Sequence, residues 1–426
     1  MLFAEVVGLG YETFYMVENH TNQLDHSNVY QHGVFSNDYF QAEIESNGSI
    51  TVKEHTSNKV FPHLNIFEES GNAGDEYDFS PPREDVIITT RDSEPEILVV
   101  HNGPLFATVK IGHIIKVPVD TDVNKRSKKK ESVIIETFVT VKRHEDRIDI
   151  KTVIHNTVKN HRIRALFETG VVTNTHKADQ QFGVIRRDNL LPQVDYWEKE
   201  QWEEKYYPIY PHQKYVDVSD GEKGLSVLNK GLPQYEILDG NTPTIALTLL
   251  CGTDYMGKQD LIHRPGRRSG LHVETPDSSL LGRYEMEYSF IPHSGNEAEA
   301  EIGLKADEYT ASMVAVQINE PSDTQRFSDK NSFFELDHPF MAISAVKKCE
   351  NDDNVIIRIY NTTDKEIPFV HAQINGKFFK KAELADLNEK PLSGDETADK
   401  FQFHKDTMVI TNIKENEIIN IKLSRV

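Results

Sequence analysis

Cysteine is almost missing from this chain: Cys251 and Cys349 are the two among 426 residues. They lie about a hundred residues apart, and neither has a second cysteine or a histidine nearby at metal-ligand spacing. That argues against a disulfide framework and for a reducing, cytoplasmic compartment. Long apolar runs are missing too, none approaching the roughly 20 residues of a membrane span. The opening Met1–Gly10 has no basic residue and is interrupted by Glu5, unlike a signal peptide. Basic charge is in deficit, with 47 Lys and Arg against 68 Asp and Glu and a net charge of −21. A nucleic-acid or anionic-membrane binder needs a basic face, so both partners are disfavoured.

Motifs that carry chemistry are equally scarce. There is no His-Glu-x-x-His, Gly-x-Ser-x-Gly, Gly-rich phosphate loop or Cys-x-x-Cys. Gly8-Leu9-Gly10 lacks the third glycine and following helix of a dinucleotide site. The 18 histidines are scattered, with no two at metal spacing on one element. No catalytic residue and no metal ligand is therefore assigned within this chain. Helical periodicity is also thin. Tyr196–Lys205 is the nearest candidate, and it reads equally as a polar connection with aromatic anchors.

What is present is β-pattern. Residues alternate apolar and polar in Tyr39–Ile44, Phe106–Ile115, Ser132–Val141 and Arg147–Ile154, with short turn signals such as Asn47-Gly48 and Asn102-Gly103 between them. The pattern resumes at Gly224–Leu228, Tyr235–Leu238, Thr244–Leu250 and Leu281–Ile291. The stretch 295–329 turns polar, with a strand expected over Tyr309–Ile318 and a linker after it. A smaller β unit follows from Phe334, through Met341–Val346, Val355–Tyr360 and Ile418–Leu423. The fold class is all-β, of sandwich type. Cuts fall near residue 30 and near 325–335. Because the chain opens directly in strand, with no cap or tail, it reads as a fragment.

Two irregular stretches interrupt the strands. Gly71-Asn-Ala-Gly-Asp-Glu-Tyr-Asp-Phe-Ser-Pro-Pro82 places Asp75, Glu76, Tyr77 and Asp78 together among glycines and prolines that forbid regular structure. Gly252–Gly270 concentrates Arg264, Arg267 and Arg268 beside Gly and Pro. Guanidinium forks suit carboxylates, phosphates and sugar hydroxyls, but they serve equally to pair with acidic neighbours and hold a loop. Paired carboxylates can do glycosidic acid–base work, and Asp75, Glu76 and Asp78 are candidates of low specificity. The basic run Lys125–Lys130 reads as a solvated hairpin tip, being short and free of interleaved aromatics.

Taken together these stretches resemble the C-terminal β-region of family 38 glycoside hydrolases, the zinc-dependent retaining α-mannosidases, in their bacterial branch. The residues that carry the resemblance are Gly8–Tyr15, Phe35–Val52, Gly74–Pro82, Leu225–Glu236 and His263–Arg268. It covers most of residues 1–330 and, more weakly, the small sandwich beyond. The resemblance implies a terminal strand or linker over 1–30, a large galactose-mutarotase-like supersandwich over 31–325 and a small C-terminal β-sandwich over 334–426. It also implies that zinc and the nucleophile belong to an N-terminal catalytic domain of the same polypeptide, outside this chain, so that the chain alone is inactive. What this region contributes in the family is a wall of the α-mannoside pocket, with a tyrosine matching Tyr77 and a loop arginine among Arg264, Arg267 and Arg268. Asp75 and Asp78 flank them as further substrate-binding candidates. The loop departs from the eukaryotic pattern, so which arginine faces the sugar stays open, as does self-association into a homo-oligomer. Two other readings are a free-standing carbohydrate-binding module and an aldose-epimerase-like enzyme. The last needs a His base and a carboxylate converging in one cleft, and the sequence has no signal for that pairing.

Overall fold

The computed structural model describes residues 6, 8–15, 27–190, 196–311, 313–318, 328–393 and 395–425. Almost every regular element is a strand, as the alternation predicts. The chain divides into two compact units. One comprises Leu24–Asp179 and Arg186–Ile302; the other comprises Met1–Gln23, Gln180–Ile185 and Gly303–Val426.

The larger unit is built on two antiparallel sheets. One runs, in spatial order, through Thr175–Gln180, Tyr215–Ser219, Lys223–Asn229, Gly282–Ser294, Ile148–Asn156, Lys130–Lys142, Phe106–Pro118 and Glu96–Asn102. The other runs through Ile209–Pro211, Gln234–Leu238, Thr244–Cys251, His161–Glu168, Val60–Gly71, Ile50–Glu54, Phe40–Ile44, Val34–Ser36 and Tyr30–Gln31, with Ile88–Thr89 added beside Val60–Gly71. The period of two decides which side chains enter the core. In Phe106–Pro118 the residues Ala107, Val109, Ile111, Ile115 and Val117 are buried, and Val133, Ile135, Val139 and Val141 answer them from Lys130–Lys142. Each such valine or isoleucine contributes ~1.5–3 kcal/mol when fully removed from water.

The strands His161–Glu168 and Thr244–Cys251 are buried on both faces. Ile163, Ala165 and Phe167 join the main core, while Leu166 packs with Ile66 and Ala246 in a separate small cluster on the opposite face. The charged residues of that opposite face, Arg162 and Arg164, are therefore covered rather than solvated.

The smaller unit contains two four-stranded sheets. One is ordered Phe334–Leu336, Ile367–Ile374, Thr407–Ile413, Phe401–His404. The other is ordered Met341–Lys348, Val355–Asn361, Ile418–Arg425, Phe379–Ala385. Ile357, Ile359, Val370, Ile410, Ile421 and Leu423 are among its core residues. A short pair, Gly10–Glu12 with Lys330–Ser332, belongs to the same unit. Among the described residues no helix is long and apolar enough to cross a membrane.

Two expectations need correcting, and one open reading resolves. The stretch Tyr309–Ile318 is not a strand: Ile302–Thr310 is a helix, and residues 313–318 have no regular structure. Ile302, Ala306 and Tyr309 recur at helical spacing and are its buried face. Of the two readings left open for Tyr196–Lys205, the structure has the connection with aromatic anchors: the segment forms turns, with Trp197 buried and Tyr196 edge-on to Trp202 at 5.6 Å. The basic run is not wholly solvated. Arg126 is buried and bonds Glu69, itself 1% exposed, while donating to the Val86 carbonyl at 2.8 Å. His161 meets the same Glu69 carboxylate at 3.2 Å, so the charge is enclosed but partnered. The N-terminal strand reading narrows to Gly10–Glu12, with residues 1–5, 7 and 16–26 lying outside the described residues. The linker at 319–325 lies outside them as well.

Candidate functional site

Strand pairing brings the two irregular stretches to one end of a sheet. Gly71, which ends its strand, lies opposite His161, and Arg162 lies opposite both Ser70 and Cys251. The loops that follow Gly71 and Cys251 therefore leave the sheet side by side.

Polar bonds then stitch one loop to the other. Asn72 Nδ2 donates to the Gly252 carbonyl at 3.0 Å, and Thr253 Oγ1 donates to the Gly74 carbonyl at 2.9 Å. The Glu76 amide donates to the Tyr255 carbonyl at 3.2 Å, and Ser278 Oγ donates to Glu76 Oε1 at 2.6 Å. Within the first loop, Asp75 Oδ1 accepts the amides of Tyr77 and Asp78, both at 3.0 Å, closing an Asx turn. Gly74 has no alternative here, because a Cβ on it would lie 2.0 Å from the Asp78 carbonyl oxygen.

Arg264 is the brace of this arrangement. Its guanidinium is buried, with Nη2 bonded to Asp75 Oδ2 and Nη1 bonded to Asp78 Oδ2. Asp75 Oδ2 also accepts the Lys258 amide at 2.8 Å. Glu204 Oε1 stands 3.6 Å from the same Nη1, so three carboxylates face one cation. Burial, then the negative charge of Glu204, pushes the Asp78 carboxyl above the usual carboxylate range, and Arg264 only partly offsets this.

The six residues expected at the site thus separate. Asp75, at 4% exposure, and Arg264, at 1%, lie behind the loop surface; the Asp75 oxygens are taken by Arg264 and backbone amides, and Arg264 bonds Asp75 and Asp78 while its Nε is buried without a hydrogen-bond partner. Tyr77 is 57% exposed, and its ring crosses Gly270, where an added Cβ would sit 2.5 Å from the hydroxyl. Asp78 is intermediate. Arg267 pairs with Glu203 at 2.6 Å on the open surface, and Arg268 is exposed without an ion pair to any described residue. The loop therefore offers a phenol hydroxyl and an aromatic face, held by a buried ionic knot.

Several neighbours were not anticipated. Phe79, from the same loop, lies under the Arg162 guanidinium at 3.7 Å from the ring centre, and Tyr207 is 5.7 Å from Phe79. Arg162 reaches Glu236 at 3.4 Å, and Arg164 links Glu236 to Glu68. The signal available was the alternation of Arg162 and Arg164 in an otherwise apolar strand. His263 packs on Tyr207 at 4.8 Å, and both its ring nitrogens are buried without a hydrogen-bond partner. Burial and the positive Lys205 lower its pKa. A histidine–carboxylate pair also exists elsewhere, with His293 Nε2 2.8 Å from Asp217 Oδ1. Ser226 and Ser219 donate to the two oxygens of Asp217, and both members of the pair are buried. Among the described residues no group of three or more His, Cys, Asp or Glu is placed to hold a metal ion.

The family description "Glycosyl hydrolases family 38 C-terminal domain" matches residues 35–253, and "Glycosyl hydrolases family 38 C-terminal beta sandwich domain" matches residues 341–421. A putative mannosylglycerate hydrolase of Halalkalibacterium halodurans is 26% identical over 343 residues, which is 76% of this chain and 35% of that protein. An alpha-mannosidase from Enterococcus faecalis V583 superposes with a TM-score of 0.81 at 25% identity, over 96% of this chain and 44% of that one. A further family 38 glycosyl hydrolase from Enterococcus faecalis gives 0.79 at 24% identity, over 96% and 46%. The chain spans about a third of the curated relative's length and under half of either solved chain.

Proposed function

This chain belongs to glycosyl hydrolase family 38, of which it represents the C-terminal region, and on that premise we propose that it is the β-region of an α-mannoside-cleaving hydrolase. The bond-breaking groups and the zinc ion are assigned to a catalytic region of the same polypeptide beyond these residues. This region's own part is to present a wall of the sugar pocket. The observation that supports the assignment is the Arg264 knot. Its buried charge fixes a loop that exposes Tyr77, beside Glu76 and part of Asp78. A tyrosine fixed in this way can lay its apolar face on a sugar ring and donate or accept through its hydroxyl. Holding the side chain before substrate arrives reduces the ordering cost of binding.

Asp75 and Arg264 act as positioning residues behind the wall, while Tyr77 and the exposed part of Asp78 form its surface. In this reading Arg268, and Arg267 on release from its surface pair with Glu203, take a charged aglycone. Such a group is consistent with the mannosylglycerate named for the relative from Halalkalibacterium halodurans. The test uses two proteins, the 426-residue chain and the polypeptide of its native reading frame, each assayed with an aryl α-mannoside and added zinc. Turnover by the longer polypeptide and none by the chain supports the reading. Zinc-dependent turnover by the chain itself overturns it. Sub-millimolar mannose binding by the chain, with no activity in the longer polypeptide, would favour a binding module.

A further inference from the structure

The smaller unit carries two adjoining cavities of opposite chemistry. The first, of about 630 Å³, is walled mainly by Leu9, Phe333, Val346, Ile357, Phe378 and Phe379. The second, of about 580 Å³, is walled by polar groups that include Asn331, Gln373, Asn375 and Asp406. Phe334 and Lys377 belong to both walls, so the cavities meet there. Each falls in the size range of small-molecule sites.

The apolar wall is a packed aromatic surface. Phe333 meets Phe378 edge-on at 5.1 Å, and Phe378 lies 6.4 Å from Phe379. Two cations stand on this wall, Lys377 and Arg425. Lys347, Lys348, Lys381, Lys400 and Lys422 of the unit pair with carboxylates, whereas Lys365, Lys380, Lys390, Lys405 and Lys414 have no ion pair to a described residue but stand outside both walls. Lys377 and Arg425 make no ion pair to a described residue, in a chain whose net charge is −21. Asp353, whose carboxyl feels Arg425, is already bonded to Lys348. Unpaired cations beside apolar surface in so acidic a protein favour an anionic visitor. The polar cavity adds an independent sign. Asn331 Oδ1 accepts from Asn375 Nδ2 at 2.7 Å, but Asn331 Nδ2 is buried with no hydrogen-bond partner. A buried donor left unsatisfied costs free energy until an acceptor reaches it.

We propose that the two cavities form one binding site for an anionic amphiphile. Its aryl or alkyl body fills the apolar cavity and its negative group lies at Lys377 and Arg425. Acceptor atoms of its head then reach Asn331 in the polar cavity. This site is independent of the loop built on Arg264.

The probe is 8-anilinonaphthalene-1-sulfonate, titrated by fluorescence into the full 426-residue chain. N-Phenyl-1-naphthylamine, which has the same rings without the sulfonate, serves as the neutral comparison. One saturable site is expected. Lys377→Glu and Arg425→Glu should each weaken the sulfonate probe by about tenfold, the scale of one charge-assisted contact, and leave the neutral probe within about threefold. Phe378→Ala should weaken both probes. Lys377 is exposed, so its variant should keep the fold, which the thermal unfolding midpoint checks. Absence of a saturable site overturns the proposal. So does sulfonate binding that neither charge reversal changes, or equal loss of both probes in the charge-reversed variants with the midpoint unchanged.

Discussion

Replacing Arg264 with alanine tests whether the loop pair is held by a buried ionic knot. The substitution removes a side chain 1% exposed and leaves Asp75, whose side chain is 0% exposed, without its counter-charge. Breaking a buried pair from one side costs ~3–5 kcal/mol. Asp75 keeps the amides of Tyr77, Asp78 and Lys258, which favours the lower end of that range. The Asp78 carboxylate is 39% exposed, so losing its contact adds at most ~1 kcal/mol. The expected loss is therefore about 3 kcal/mol. For a unit of this size that lowers its thermal midpoint by roughly 6–12 °C. The assay is thermal and urea unfolding of the purified chain, resolved into separate transitions where the two units melt apart. The double variant Arg264→Met with Asp75→Asn removes both charges and should recover at least about half of the loss. A loss under about 1 kcal/mol in Arg264→Ala, or a double variant no better than the single, would refute the reasoning.

Other perturbations carry equally definite outcomes. Gly74→Ala forces a methyl to within 2.0 Å of the Asp78 carbonyl oxygen and should cost at least ~2 kcal/mol by the same unfolding assay. Arg126→Gln strands Glu69 in the core and should cost about 3 kcal/mol. Lys128→Gln and Lys129→Gln in the same basic run should stay within ~0.5 kcal/mol. Burial lowers His176 and His212 from the ordinary 6.5 to about 4. The unfolded chain therefore takes up protons that the fold refuses, and stability is lost as pH falls from about 6.5 toward 4. The loss should reach roughly 2 kcal/mol for each histidine by pH 5. Urea midpoints between pH 7 and 5 measure it, and His176→Gln should remove about half of the slope.

The strands were largely legible because their signal is local. Phe106–Ile115 and Ser132–Val141 alternate over most of their length, and both lie within strands of thirteen residues whose alternate side chains are buried. The helix at Ile302–Thr310 escaped notice because it is short and polar overall, with its buried face reduced to Ile302, Ala306 and Tyr309. The site was legible in its members but not in its connections. Arg264 and Asp75 are 189 positions apart, and only the pairing of three strands brings their loops together. Composition cannot distinguish an arginine that turns outward, such as Arg268, from one that turns inward to a carboxylate. Arg126 shows the same point within a run whose lysines are exposed. The unanticipated contact of Phe79 with Arg162 likewise follows from packing across the sheet rather than from spacing.

The central claim is that the Arg264 knot presents Tyr77 to the sugar. Its most direct test is kcat/KM for an aryl α-mannoside in the polypeptide of the native reading frame, comparing Tyr77→Phe with the unaltered protein. Phenylalanine keeps the ring and deletes only the hydroxyl, so the loop should remain folded and the thermal midpoint unchanged. Loss of one hydrogen bond, about 1–2 kcal/mol, predicts a fall in kcat/KM of roughly 5- to 30-fold. Unchanged kinetics in a folded Tyr77→Phe protein would contradict the account and leave the loop as braced surface without a role in the sugar site.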